Sequence, residues 1–404
     1  MASASPLQLP ADALSAAVFV VLAGSLPQLL AGPLAPSFER DLGVTPSTLG
    51  LAVSLSAVPA LLFGVRGGAM VDRRGAPLIA TWVCVVSIAS MLSLAVVSSS
   101  TMLVAVVGLA GCTRVVLDAT SSRLVTDGIP PSRRMVAFGR REATVPAVVL
   151  GASLLFPLLD DALGWRAVVA IFALVPVAGL LALARLKSHA PGAPTPNADH
   201  HELRSAHAAS TNAHVLTVGF MVGIGLMFMA ANVLNAFAAL SLDRIGVANE
   251  AAVVAAGALA CVMARLAMAN WASMRASIDP RAVIGLSALV SVVAFVGMAL
   301  PWSTAHAVGV IGAYCFGWGW TPVLFALVTA GRESGAGRAT GRVAAIYAAM
   351  SILGPAGGGI LADRSGFAAV WAVAAIGAAV ASMLIFRSVQ RHPVRHPTPS
   401  ISTG

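Results

Sequence analysis

Long apolar stretches separated by short clusters of charge, proline and glycine run the length of the chain. The apolar runs fall at 13–34, 47–70, 77–98, 101–125, 136–159 and 165–186. After a polar interval they resume at 214–240, 248–272, 281–300, 305–330, 340–361 and 367–387. Each run is near the length of about 20 residues that a helix needs to cross hydrocarbon. None shows the strict alternation of a half-buried strand. The pattern predicts twelve membrane-crossing helices, with Trp318, Trp320 and Pro322 marking a kink in the tenth.

Composition agrees: 58% hydrophobic and 10% charged residues, with a mean hydropathy of +0.88, exclude an ordinary soluble domain. The net charge of +9 does not point to nucleic acid, because no basic helix or aromatic-interleaved basic face accompanies it. Its distribution has another reading. With the N-terminus inside, Arg73, Arg74, Arg133, Arg134, Arg140 and Arg141 all fall on inner loops, as do Lys187 and Arg204. The outer loops keep only Arg40, Arg166, Arg244 and Arg364. The bias predicts a multi-pass protein of the plasma or inner cell membrane with both termini cytoplasmic. The first apolar run lacks the basic start and cleavage site of a signal peptide, so it reads as a retained helix.

The cysteines Cys84, Cys112, Cys261 and Cys315 lie inside apolar runs and read as small buried hydrophobes. The Asp199-His200-His201-Glu202 run reads as a solvated loop, since nothing pins its side chains as metal ligands. No phosphate-binding glycine loop and no catalytic constellation is present. The expectation is therefore a non-enzyme, without metal or cofactor, that meets lipid and a small solute.

The two halves repeat. At a shift of 202 residues, Gly139-Arg140 falls on Gly341-Arg342, Asp161 on Asp363, Gly164 on Gly366 and Trp165 on Phe367. At a shift of 203, Leu42-Gly43-Val44 recurs as Ile245-Gly246-Val247. Parallel repeats of six helices follow, joined by a linker rich in proline, histidine, alanine and serine. The predicted organisation is an N-terminal bundle over 1–186, a cytoplasmic linker over 187–213, a C-terminal bundle over 214–388 and a cytoplasmic tail over 389–404.

Between the second and third helices stands Gly67-Gly68-Ala69-Met70-Val71-Asp72-Arg73-Arg74-Gly75. Its Gly-x-x-x-Asp-Arg-x-Gly spacing resembles the loop signature of the major facilitator superfamily of secondary transporters. Gly68, Asp72, Arg73 and Gly75 match that signature, whereas Ala76 and Pro77 stand where the family usually has basic residues. The resemblance implies an all-α integral membrane fold of twelve transmembrane helices in two pseudo-symmetric six-helix bundles. It also implies a cytoplasmic latch at Asp72 and Arg73, with Asp127 at the end of helix 4 as a partner. The equivalent turn, Met268 to Arg275, has lost the aspartate. In helix 11, Gly354-Pro355-Ala356-Gly357-Gly358-Gly359 offers a packing and bending seam at Gly354, Pro355, Gly358 and Gly359.

Arg114 lies near the middle of helix 4, where an ionised residue is costly and usually faces a cavity or a partner. Asp118 follows one turn later on the same face. Either the two neutralise each other, or Arg114 binds solute while Asp118 modulates it or carries a proton. Asn232 and Asn235 in helix 7 and Gln28 in helix 1 are candidates for solute contact or for helix packing. Tyr314, Trp318 and Trp320 are candidates for an aromatic cavity wall. Arg265 either snorkels to the surface or binds an anion, and Glu142 can answer Arg140 or Arg141.

By resemblance, helices 1, 4, 7 and 10 line the site. The expected function is secondary active transport of a small polar or anionic organic solute by alternating access, as a monomer, with protons or a counter-ion as coupling partners. Proton-coupled efflux of drugs or metabolites is the first alternative. A membrane receptor or sensor without transport is the second.

Overall fold

The computed structural model describes residues 11–130, 134–188, 217–274, 279–329 and 336–391. Most of the predicted linker, the Asp199–Glu202 run, Arg133, Arg275 and the tail beyond Arg391 lie outside the described residues.

The described residues form helices and no strand. In chain order these are α1 (Ala11–Leu29), α2 (Ala35–Leu42), α3 (Pro46–Leu55), α4 (Val58–Arg74), α5 (Ala76–Ala95), α6 (Ser100–Ala110), α7 (Arg114–Gly128) and α8 (Arg134–Leu163). There follow α9 (Trp165–Phe172), α10 (Leu174–Ser188), α11 (Val218–Arg244), α12 (Glu250–Met274), α13 (Pro280–Ala299), α14 (Ser303–Gly312), α15 (Thr321–Thr329) and α16 (Ala336–Arg391).

Among the described residues, nine stretches are long and apolar enough to cross a membrane. The last, Val343–Gln390, turns sharply at Gly366 and so makes two rods. Taken with α1 and α8, they are consistent with the twelve rods expected. Four of these are joined pairs: α3 with α4, α6 with α7, α9 with α10, and α14 with α15. The chain is thus an all-α membrane fold.

Local chemistry sets the rod ends. Thr45 caps α3 by accepting from the Thr48 amide at 3.3 Å, with Pro46 at the first helical position. Ser99 caps α6 and Thr217 caps α11 in the same way, each accepting at 3.2 Å. The repeat is visible in the turns. Gly43 and Gly246 sit at φ 61 and 78, and Gly164 and Gly366 at φ 75 and 78. Left-handed backbone excludes most side chains, which explains why the glycines recur at these offsets.

Within the first half α1 packs on α5, α7, α8 and α10; within the second α16 packs on α11 and α13. The halves meet along two seams, α8 against α12 and α3 against α16. One large apolar core runs continuously from Leu30, Phe38, Phe156 and Trp165 into Phe228, Phe237, Trp320 and Trp371. A second core, including Val20, Val71, Val83, Leu117 and Val125, belongs to the first half alone. These residues lie toward the end at which α1 begins and α16 finishes, here called the terminal end, opposite the far end. The apolar core of the first half is thus divided, one part continuous with the second half and one part its own.

Candidate solute site between the two halves

Direct contacts close the far end. Glu39 of α2 takes a 2.6 Å ion pair from Arg244 at the end of α11. The Ser47 amide donates to Asp363 at 3.1 Å, and the Ser54 hydroxyl donates to the Ile352 carbonyl at 2.7 Å. Bare backbone makes the seam possible. A Cβ on Gly50 would lie 2.1 Å from the Pro355 carbonyl oxygen, and one on Gly359 would lie 2.3 Å from that of Pro46. Gly354 and Gly358 turn instead toward Met229, Val233 and Phe237 of α11. The run predicted as a packing seam thus touches both neighbours. The helix passes through Pro355, and its non-helical residue is Gly366.

Two rods break at matching depth. The fourth passes through a 3₁₀ turn at Gly111–Thr113, and the tenth through a π-helical turn at Ala313–Gly317, the kink expected there. Their starts are 202 residues apart, the offset of the repeat. Such turns interrupt the backbone ladder, and in lipid the orphaned carbonyls need other donors. Gln28 supplies one, its Nε2 donating to the Ala110 carbonyl at 3.1 Å. The Thr113 hydroxyl stands 2.9 Å from the same carbonyl and from that of Gly24. In the tenth rod Arg265 donates to the Trp318 carbonyl at 3.1 Å, and Trp320 Nε1 to that of Gly317 at 2.8 Å.

Arg114 opens α7, at the midpoint of the Ser100–Gly128 rod. Its guanidinium carbon stands 5.3 Å from the ring centroid of Tyr347, which belongs to α16 in the other half. Among the described residues it has no ion pair. Asp118 does not neutralise it. That carboxylate instead accepts from Arg141 of α8 through Oδ1, while its side chain stays 72% exposed.

Arg141 is buried, donates to Ser121 at 3.0 Å, and is 2.6 Å from Glu142. Glu142 in turn lies 3.7 Å from Arg265 of α12, whose guanidinium also donates to the Glu142 carbonyl. Arg265 is only 1% exposed and stacks 4.7 Å from the Trp318 centroid, so it does not snorkel to the surface. A chain of alternating charge thus runs from Asp118 between the halves to the broken tenth rod.

The remaining candidates are placed as follows. Asn232 and Asn235 donate to the carbonyls of their own helix, Phe228 at 2.7 Å and Ala231 at 2.8 Å. The Asn235 Oδ1 is buried without a partner among the described residues. Tyr314 and Trp318 are buried, with Tyr314 pressed on Gly257 of α12. The aromatic ring facing Arg114 is that of Tyr347, which the sequence did not single out. At the terminal end, Asp72 and Asp127 are both held by Arg123, at 3.2 and 2.9 Å. Arg73 is exposed, Gly68 has open space beside it, and Gly75 takes φ 83 at the joint between α4 and α5. The i,i+4 spacing of Arg123 and Asp127 was the available signal for that arginine. Nothing local announced Arg141 as the partner of Asp118.

Among the described residues, no group of three or more histidine, cysteine, aspartate or glutamate side chains could hold a metal ion. No curated protein sequence is similar enough to count as a relative. Solved structures are: a bacterial homologue of the human lysosomal transporter Spinster, inward-facing and unoccupied, superposes with a TM-score of 0.69. It is 15% identical, with 95% of this chain and 98% of that chain covered. The same description in an inward-facing, occupied conformation gives 0.69 and 15%, over 96% and 98%. At that identity the likeness speaks for the fold. The family model of the Major Facilitator Superfamily matches residues 14–336. The chain belongs to the Major Facilitator Superfamily, and is a membrane transporter rather than an enzyme.

Proposed function

We propose that the chain is a secondary active transporter of a small polar or anionic organic solute, working by alternating access. The observation that carries this reading is Arg114, a guanidinium at mid-rod between the halves with no ion pair among the described residues. The formal charges of Asp118, Arg141, Glu142 and Arg265 cancel one another, which leaves Arg114 uncompensated. An intramembrane cation is costly unless a watered cavity or an anion serves it. The planar fork of its N–H donors matches a carboxylate or phosphate, and contact with the Tyr347 ring engages its charge without consuming those donors.

The moving bodies in this reading are the bundles over 1–186 and 214–388, with the terminal end cytoplasmic. A sealed far end and a core of the first half's own at the terminal end fit one of the two states that alternating access needs. The test is uptake by the reconstituted chain of a panel of small acids and neutral polar solutes. Arg114→Ala is expected to lower uptake of the carried solute at least tenfold; full uptake of every substrate by that variant ends the reading. Solute that binds and never accumulates identifies a sensor instead.

Proton-coupled efflux is the second reading, favoured by the exposure of Asp118 between the halves. It requires Asp118→Asn to abolish dependence on an imposed pH gradient, and unchanged coupling removes it.

A further inference from the structure

We infer that the solute is amphoteric, its acid group held by Arg114 and a protonated amine on the same molecule held by Asp118. This rests on the reading of Arg114 given above.

The two side chains stand one turn apart on α7, where i and i+4 positions are neighbours about 5–6 Å apart at Cβ. Asp118 is the most exposed carboxylate of the charge chain, at 72% against 12% for Glu142. Arg141 occupies its Oδ1, and Oδ2 makes no hydrogen bond among the described residues. A carboxylate accepts through both oxygens, so the exposed Asp118 side chain keeps an open acceptor at Oδ2.

Electrostatics then selects among solutes. A simple anion on Arg114 answers that charge but leaves the Asp118 Oδ2 without a donor. A simple cation on Asp118 faces the uncompensated charge of Arg114, because Arg141 already offsets the aspartate. A molecule carrying both groups serves Arg114 and the open Asp118 oxygen together. Its carboxylate neutralises Arg114, and its ammonium donates to Oδ2. The Tyr347 ring, on the opposite half, supplies an apolar wall beside the acid.

The experiment uses the full-length chain in detergent for binding and in proteoliposomes for uptake. Straight-chain α- and ω-amino acids are the probes. Each is compared with the carboxylate of the same carbon count lacking the amine, and with the amine lacking the acid. The expected result is at least a tenfold preference for the amino acid over both truncated forms. In Asp118→Asn the preference over the plain carboxylate should shrink at least tenfold. Asparagine keeps an oxygen for Arg141, and an unchanged melting temperature checks the fold. In Arg114→Gln every acid should lose affinity together.

Equal binding of amino acids and plain carboxylates, or a preference that Asp118→Asn leaves unmoved, overturns the proposal and spares the Arg114 reading. Unaltered binding in Arg114→Gln overturns both, as does a panel in which no acid binds. A loss of pH-gradient dependence in Asp118→Asn with an unmoved preference makes Asp118 a proton carrier and overturns the proposal alone.

Discussion

Asp118 pairs with Arg141, 23 residues away on the next rod, rather than with Arg114 one turn away on its own helix. The buried cation wins the exposed carboxylate, and Arg114 is left to the space between the halves. Glu142 then stands between two buried arginines.

Removing Glu142 should be the most damaging change in this chain of charges. Glu142→Gln leaves Arg141 and Arg265 with a single carboxylate, that of Asp118. Breaking a buried pair costs about 3–5 kcal/mol. The expected outcome is a clear fall in melting temperature, partly restored by combining Glu142→Gln with Arg265→Met. A Glu142→Gln chain as stable as the parent would show that the arginines find water.

Two glycines of one run should behave oppositely. At Gly359 a Cβ would sit 2.3 Å from the Pro46 carbonyl oxygen, and backbone cannot yield cheaply. At Gly357 nothing lies within 4 Å. Gly359→Ala is expected to force α3 and α16 apart at a cost of about 1–3 kcal/mol and to reduce transport at least tenfold. Gly357→Ala should stay within twofold of the parent. Initial uptake rates and melting temperatures check both, and equal rates in the two variants would contradict the seam.

The joint between α4 and α7 depends on Arg123. Its pairs with Asp72 and Asp127 are exposed, so each should contribute less than about 1 kcal/mol to stability. The expected signature is kinetic. Arg123→Gln and Asp72→Asn should slow uptake equally, with the double variant no slower than either. Arg73→Gln matching Asp72→Asn while Arg123→Gln is silent would return the latch to Arg73.

At the far end, Glu39 and Arg244 bridge the halves at 2.6 Å, each about one-third exposed. Glu39→Arg should raise labelling of cysteines placed in the cleft from the far side. Adding Arg244→Glu should bring labelling back toward the parent. Failure of the swap to rescue would mean that the apolar seam closes this end unaided.

Much of the fold was legible because it is local. Apolar length and the repeated Leu42-Gly43-Val44 and Asp161-to-Gly164 turns needed no knowledge of contacts. The kink in the tenth rod was legible from Trp318, Trp320 and Pro322. Its counterpart at Gly111–Thr113 was not, since a lone Gly111 inside an apolar run carries no such mark.

Arg114 and Asp118 were legible as costly intramembrane charges, but their partners were not. Arg141 and Tyr347 reach them only through the crossing of rods distant in sequence. The sequence offers Gln28 either for solute contact or for helix packing. Its amide is committed to the Ala110 carbonyl, a need that exists only because the rod is broken there.

The two breaks, at Gly111–Thr113 and Ala313–Gly317, carry a last consequence. Gln28 and Arg265 fill the hydrogen-bonding vacancies they create, each from a neighbouring rod. Straightening the fourth rod would set the Gln28 amide in competition with the restored ladder, whereas Arg265 would keep its bonds to Glu142. Each break is therefore a braced elbow, held bent by a partner that a straight rod would not engage.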